Sequence, residues 1–264
     1  MPNSVEIVVI SLSTATERRQ KIADQFKSLP HAWSFFDAHR SLLHEDLTCD
    51  EVDLLRHAGR KFSVPQLAVW SSHYTVIKNF LECSQSEYLL VFEDDVLFDT
   101  DFPISKAVDL CAQKNIDYIR LYGMYYAPAE KLGYFYDRGL IRYKSSPCGM
   151  QAYILSKNGA KKFTDTTRKV EATVDLAIDY FWRTKLPIYA IFPFPVIERY
   201  SPSSIPIFSE SPLNLRDKLI VSSNRIVNKL AKIRENVRLR RSDGEFKRSS
   251  MPFQQVNLED MDRK

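Results

Sequence analysis

Glu93, Asp94 and Asp95 stand in succession at the end of the apolar run Tyr88-Leu89-Leu90-Val91-Phe92, and Val96-Leu97-Phe98 resumes it. Three adjacent carboxylates repel one another unless something positive neutralises them. Hard oxygen donors at the end of a buried strand suit Mg²⁺ or Mn²⁺, which take one or two carboxylates and complete their shell with substrate phosphates. Side chains alternate along a strand, so Glu93 and Asp95 point to one side and Asp94 to the other. The chemistry within reach is metal-assisted handling of a diphosphate at a strand's carboxyl end. The competing reading is a solvated acidic turn.

Other residues carry weaker signals of the same kind. Asp175 and Asp179 are four apart, on one face of a helix expected over 174–184. His73 lies mid-helix in Trp70-Ser71-Ser72-His73-Tyr74, where packing is the commoner role for a histidine. Gly149, after Cys148, allows backbone to approach a ligand closely. Cys49, Cys83, Cys111 and Cys148 are scattered, which indicates neither a zinc framework nor a disulfide scaffold.

The elements that must position these residues alternate between strand and helix. Val5 to Leu12 is a near-continuous apolar strand, and Thr14 and Glu17 have capping-box spacing ahead of a helix that Pro30 ends. Trp33 to Ala38 reads as a second strand. Ser63-Val64-Pro65-Gln66 opens a helix running to about Cys83, with Pro65 where its missing N–H does no harm. A helix over 104–113, a strand over 118–122, a hairpin turning at Asp137-Arg138-Gly139, a short strand over 152–155 and a helix capped by Ser156 follow. Residues 187–195 return as an extended segment. This alternation predicts an α/β fold with an open, mainly parallel sheet flanked by helices, and such sheets bind ligands at the carboxyl ends of their strands. Ser11 and the acidic triplet sit at two such ends.

With 264 residues, 44% of them hydrophobic, the chain can bury one substantial core. It divides into a catalytic body over 1–200, a Ser- and Pro-rich linker or strap over 201–212, a basic amphipathic helix over 213–241 and a flexible tail over 242–264. Residues 213–241 carry nine Lys or Arg against Asp217 and Glu235, whereas the whole chain is only +4, so the rest is net acidic. That argues against a nucleic-acid-binding body. In the basic segment Leu219, Ile226, Leu230, Ile233 and Val237 fall on one helical face. The stripe suits either an anionic membrane surface or packing on the domain or a second subunit. The scattered thiols and the lack of any long apolar window predict a cytoplasmic protein, with a peripheral place on the inner membrane as one option.

Taken together, Val8-Val9-Ile10-Ser11-Leu12 with Glu17-Arg18-Arg19, the Ser72-His73 pair, Phe92-Glu93-Asp94-Asp95-Val96, and Gly149-Met150-Gln151-Ala152-Tyr153-Ile154-Leu155-Ser156 with Gly159-Ala160 resemble glycosyltransferase family 25. The resemblance spans about residues 5–200. It implies a GT-A fold, a UDP-sugar donor (most often UDP-galactose), a divalent metal and inversion at the anomeric carbon. The acceptor it implies is a lipooligosaccharide or lipopolysaccharide, a glycolipid oligosaccharide. Asp95, assisted by Glu93 or Asp94, would hold Mn²⁺ or Mg²⁺. Ser11 and Leu12 would line the uracil, and Arg18 or Arg19 would fork onto phosphate or ribose. His73 would orient a carboxylate or meet the donor phosphate, and Gly149 would border the donor. Asp175 is the first candidate for general base and Asp179 the second, while Glu198 would contact donor or acceptor sugar. Ala68-Val69-Trp70 stands where the family often has Gly-Cys, which touches packing more than chemistry. The alternatives are another UDP-sugar donor (glucose or an N-acetylhexosamine), or a non-catalytic nucleotide-sugar-binding protein.

Overall fold

In a computed structural model of the chain, residues 3–199 and 214–249 are described. The expected linker over 201–212 and the last part of the expected tail lie outside them. The first strand, β1 (Val5–Ser11), is buried from Ile7 through Ser11, as a strand covered on both faces must be. It lies parallel to β2 (Trp33–Asp37) on one side and β3 (Tyr88–Glu93) on the other. Alternate residues of β1 serve two cores: Val8 and Ile10 join Trp70 and Tyr74, whereas Ile7 and Val9 join Phe26 and Phe92. Helix α1 (Thr16–Gln25) follows β1, and α2 (Glu51–Ala58) and α3 (Val64–Cys83) lie between β2 and β3. Ser63 and Gln66 form the predicted capping box on α3. The capping box expected at Thr14 and Glu17 is absent: α1 begins at Thr16 with Ala15 as its N-cap, and Glu17 pairs with Lys21 instead.

Beyond the triplet come β4 (Val96–Phe98), α4 (Ile104–Lys114), β5 (Tyr118–Arg120), the hairpin β6 (Ala129–Phe135) and β7 (Arg138–Tyr143), and β8 (Ala152–Ser156). Ser156 caps α5 (Lys157–Thr166), its side chain accepting from Gly159 N. The helix expected over 174–184 is two pieces, α6 (Val174–Asp179) and α7 (Phe181–Thr184), broken at Tyr180. Strands β9 (Tyr189–Phe192) and β10 (Val196–Glu198) complete the body.

The large sheet runs β2-β1-β3-β8-β5-β9-β7-β6, and β10 pairs separately with β4. The open sheet flanked by helices is as expected, but its parallel character is confined to β2, β1 and β3 and to the β5–β9 pair. Strand β8 lies antiparallel to both β3 and β5, and β7 to both β9 and β6. The sheet is therefore mixed, because β8 arrives between β3 and β5 from a loop and not from a crossover helix.

Last comes α8 (Leu215–Ser249), which continues into the segment expected to be tail. Its inward face is not the apolar stripe. Val221, Glu235, Leu239 and Asp243 are buried against the body, and Arg142 of β7 donates to both Asp243 carboxylate oxygens at 2.7 Å. Leu219, Ile226, Leu230, Ile233 and Val237 all remain 50–64% exposed, so the stripe does not pack on the domain.

Candidate functional site

Parallel register brings the chemistry together. Ile10 stands opposite Glu93, so Ser11, the next residue of β1, faces the turn after β3. Ser11 is buried, and its hydroxyl donates to Asp94 Oδ2 at 2.6 Å. Arg18, from the first turn of α1, reaches Asp94 at 3.2 Å and Asp95 at 3.6 Å. The Ser11 hydroxyl is thus turned inward, where it fixes Asp94. Leu12 is half-buried, and its carbonyl accepts from Arg19 Nε at 3.1 Å and Ala15 N at 2.9 Å. Arg19 also donates to the Ser11 carbonyl and to Asp37, with its guanidinium over the Phe35 ring. Arg19 thus braces the end of β1, and Arg18 is the arginine placed beside the acids.

Glu93 and His73 meet as the spacing could not have fixed. His73, in the middle of α3 and 1% exposed, sits with Nε2 3.2 Å from Glu93 Oε1 and Nδ1 3.1 Å from the Tyr153 hydroxyl. The chain Tyr153–His73–Glu93 orients one carboxylate of the triplet. Asp95 is different. Its Oδ1 is buried with no hydrogen-bond partner. Burial, then the charges of Glu93 and Asp94, push its carboxyl up to about 7 against the opposing pull of Arg18. A buried carboxylate oxygen without a donor, in a cluster of like charge, is the environment a divalent cation satisfies. Among the described residues no three His, Cys, Asp or Glu side chains converge closely enough to hold an ion by themselves. The donor set fits a Mg²⁺- or Mn²⁺-type ion that shares its shell with substrate oxygens, through Asp95 with Glu93 beside it.

Glu198 arrives through the β4–β10 pair, in which it stands opposite Val96. It accepts from the Tyr122 hydroxyl at 2.7 Å, and Arg199 N donates to the Asp95 carbonyl at 2.7 Å. Burial first, and then the bond to Glu198, push the Tyr122 phenol up.

The other side of the site is the loop before β8. Gly149 has φ +81°, and a Cβ there would lie 2.5 Å from Gln151 Oε1 and 2.7 Å from the Tyr122 ring, so only glycine fits. Its N–H donates to Asp175 Oδ2 at 2.9 Å. Two residues on, the Gln151 carbonyl accepts from Glu93 N at 2.9 Å. Two residues of chain span at most about 7 Å, so Asp175 and the triplet hang on one short segment. Asp175 is partly exposed, while Asp179 is wholly buried. Arg120 binds Asp179 at 2.8 and 2.9 Å, and Tyr118 and Ser146 donate to it as well. Asp179 is therefore no base for an acceptor hydroxyl. It holds Arg120, which also donates to the carbonyls of Cys148 and Gly149 and so fixes the loop.

Sequence reasoning missed Arg120, Tyr122 and Tyr153. An arginine amid the apolar residues of a strand was the available signal for the first. It also missed the segment after β5: Met124 N and Tyr125 N donate to the Cys148 and Pro147 carbonyls at 3.3 and 2.8 Å, which leaves Tyr125 and Tyr126 64% and 97% exposed beside the site loop.

Residues 4–182 match the family described as Glycosyltransferase family 25 (LPS biosynthesis protein). The chain is 27% identical over 199 residues to Lacto-N-neotetraose biosynthesis glycosyltransferase LgtE of Neisseria gonorrhoeae, a match covering 70% of this chain and 71% of that one. It is 28% identical over 200 residues to LgtB of Neisseria meningitidis, covering 70% and 72%. With Lipooligosaccharide biosynthesis protein lex-1 of Haemophilus influenzae it shares 24% over 226 residues, covering 70% and 71%.

Proposed function

The chain belongs to glycosyltransferase family 25, and from that premise we propose that it transfers galactose from UDP-galactose, with inversion, to a sugar hydroxyl of a lipooligosaccharide or lipopolysaccharide acceptor. The observation that carries the reading is the unpartnered Asp95 Oδ1 among three carboxylates, on the same short segment as Asp175. The names of the relatives, which refer to lacto-N-neotetraose and lipooligosaccharide biosynthesis, support the choice of acceptor.

Asp95 and Glu93 are the residues to hold a Mn²⁺ or Mg²⁺ ion, which when bound supplies Lewis-acid stabilisation of the departing diphosphate. Arg18 adds positive charge beside the same acids. His73, fixed by Tyr153, keeps Glu93 in one orientation. Asp175 takes the proton of the attacking acceptor hydroxyl at a carboxylate oxygen, the other being engaged by Gly149 N–H. Glu198, held by Tyr122, borders the sugar. The GT-A description of the fold, and work at the inner face of a membrane, belong to this same proposal.

The test is UDP release by the purified chain with UDP-galactose, UDP-glucose and UDP-N-acetylhexosamines, each with a lactose- or glucose-terminated acceptor, with and without Mn²⁺. Transfer from UDP-galactose that requires Mn²⁺ is expected. Preference for another donor replaces galactose in the reading, and tight UDP binding without turnover on any donor overturns catalysis.

A further inference from the structure

Helix α8 turns a mixed face inward, with Val221 and Leu239 among polar residues, and an apolar stripe outward. Asn224 donates to the Arg56 carbonyl, Asn228 accepts from Trp182, and the Arg142–Asp243 pair closes the far end, so the helix is fastened to the body along its length. The opposite face carries Leu219, Ile226, Leu230, Ile233 and Val237, spaced 7, 4, 3 and 4 residues apart and each at least half exposed. At 3.6 residues per turn, Arg216, Arg234 and Arg241 border this stripe on one side and Arg225, Lys229 and Arg240 on the other, all exposed. We propose that this face is a docking surface for an anionic lipid bilayer, with the apolar stripe in the headgroup–acyl boundary and the two basic borders on lipid phosphates.

Charge complementarity selects this occupant. A second copy laid on the same stripe would bring basic border against basic border. Between residues 218 and 241 the only acid is Glu235, and it is buried against the body and bonded to Arg238. A phosphate-bearing surface satisfies both borders at once. Among the described residues nothing covers the stripe.

The placement also serves the reaction proposed above. Gly59 lies against Val221 and Arg225 of α8, with a Cβ there 3.6 Å from each. The next residue, Arg60, feels the charge of Asp175. Helix α8 thus stands one loop away from the candidate base Asp175. The docking surface itself rests on the geometry of α8 and not on turnover.

Co-sedimentation of the full chain with phosphatidylglycerol/phosphatidylethanolamine vesicles, and with phosphatidylcholine vesicles, at low and high salt, tests the proposal. Binding to the anionic vesicles that weakens with salt is expected. Ile226→Asp with Leu230→Asp should lower the partition by about tenfold or more, and Arg234→Gln with Arg241→Gln should lower it on anionic vesicles only. Because these side chains are exposed, the melting temperature and turnover on a soluble acceptor should hold. No binding, or equal and salt-insensitive binding to both vesicle types, overturns the proposal. A dimer that Ile226→Asp with Leu230→Asp dissociates in ultracentrifugation assigns the stripe to a second copy instead. Vesicle binding requires no catalysis, so an inactive chain that still binds refutes only the transfer reading.

Discussion

Asp95→Asn should have two opposite effects: it should stabilise the metal-free protein and abolish its response to Mn²⁺. Burial and the neighbouring acids push the Asp95 carboxyl from 3.8 to about 7. The folded chain therefore keeps this proton up to about pH 7, whereas the unfolded chain loses it near pH 4. Across that window the folded state holds more protons, so stability falls as pH rises through it and levels off above. At about 1.4 kcal/mol per pKa unit, the penalty at pH 8 is at most about 4 kcal/mol. The side chain is 19% exposed and the opposing charge of Arg18 lies 3.6 Å away, which brings the expected gain for asparagine to about 2 kcal/mol. For a chain of this size that corresponds to a rise in Tm of roughly 4–8 °C. The assay is thermal unfolding of both proteins near pH 5 and pH 8, in chelator and in Mn²⁺. At pH 5 the folded chain keeps the proton but the unfolded chain has already lost it, so the gain should fall to roughly a third to a half of its pH 8 value and vanish only below about pH 4. In Mn²⁺ the wild type should gain stability and Asp95→Asn little. Equal melting of the two proteins at pH 8 in chelator would falsify the electrostatic reasoning, and an equal Mn²⁺ shift in both would remove Asp95 from the ion.

Asp175→Asn should cut transfer by about 10²–10⁴-fold while leaving UDP affinity nearly intact; calorimetry showing a large loss of UDP binding would move Asp175 to the donor side. Asp179→Asn leaves Arg120 buried without its counter-charge, at an expected cost of about 3–5 kcal/mol in urea unfolding, and a change under 1 kcal/mol would mean that the pair does not brace the loop. Tyr126→Ala removes an almost fully exposed ring beside the site loop, so acceptor KM should rise with kcat and donor KM unchanged, and an unaltered acceptor KM excludes the ring from the acceptor path.

The acidic triplet, the buried strands around it and the helix opened by Ser63 were legible in the sequence because each is a local pattern. An apolar run followed by acids, or Ser-x-x-Gln with a proline inside it, fixes backbone conformation over a few residues. The pairing of strands was less legible. Nothing within Ala152-Tyr153-Ile154-Leu155 says that it runs antiparallel between two strands that both lie more than thirty residues earlier in the chain. Register of that kind is set by long-range packing. The break at Tyr180 was hidden for the same reason: α6 and α7 each pack on different neighbours, and a helical periodicity over ten residues does not record the bend.

In the site, sequence by itself determined which groups are acidic and that they sit at a strand end, but not which of them are usable. Asp175 and Asp179 share residue type, helix face and spacing. Tertiary structure alone separates them, because Arg120 from β5 pairs with the wholly buried Asp179, whereas Asp175 stays partly exposed against the Gly149 loop. Only the fold shows that the Ser11 hydroxyl bonds Asp94 and that Arg19 bonds the Ser11 carbonyl at the end of β1. The periodicity of α8 defined an apolar stripe and its basic borders, whereas which face meets the body was decided by Asp243, whose partner Arg142 lies 101 residues earlier. Local sequence fixes conformation and charge through short-range sterics and composition. The ionisation, accessibility and partnership of a side chain depend on atoms brought from distant parts of the chain, and those only the folded structure supplies.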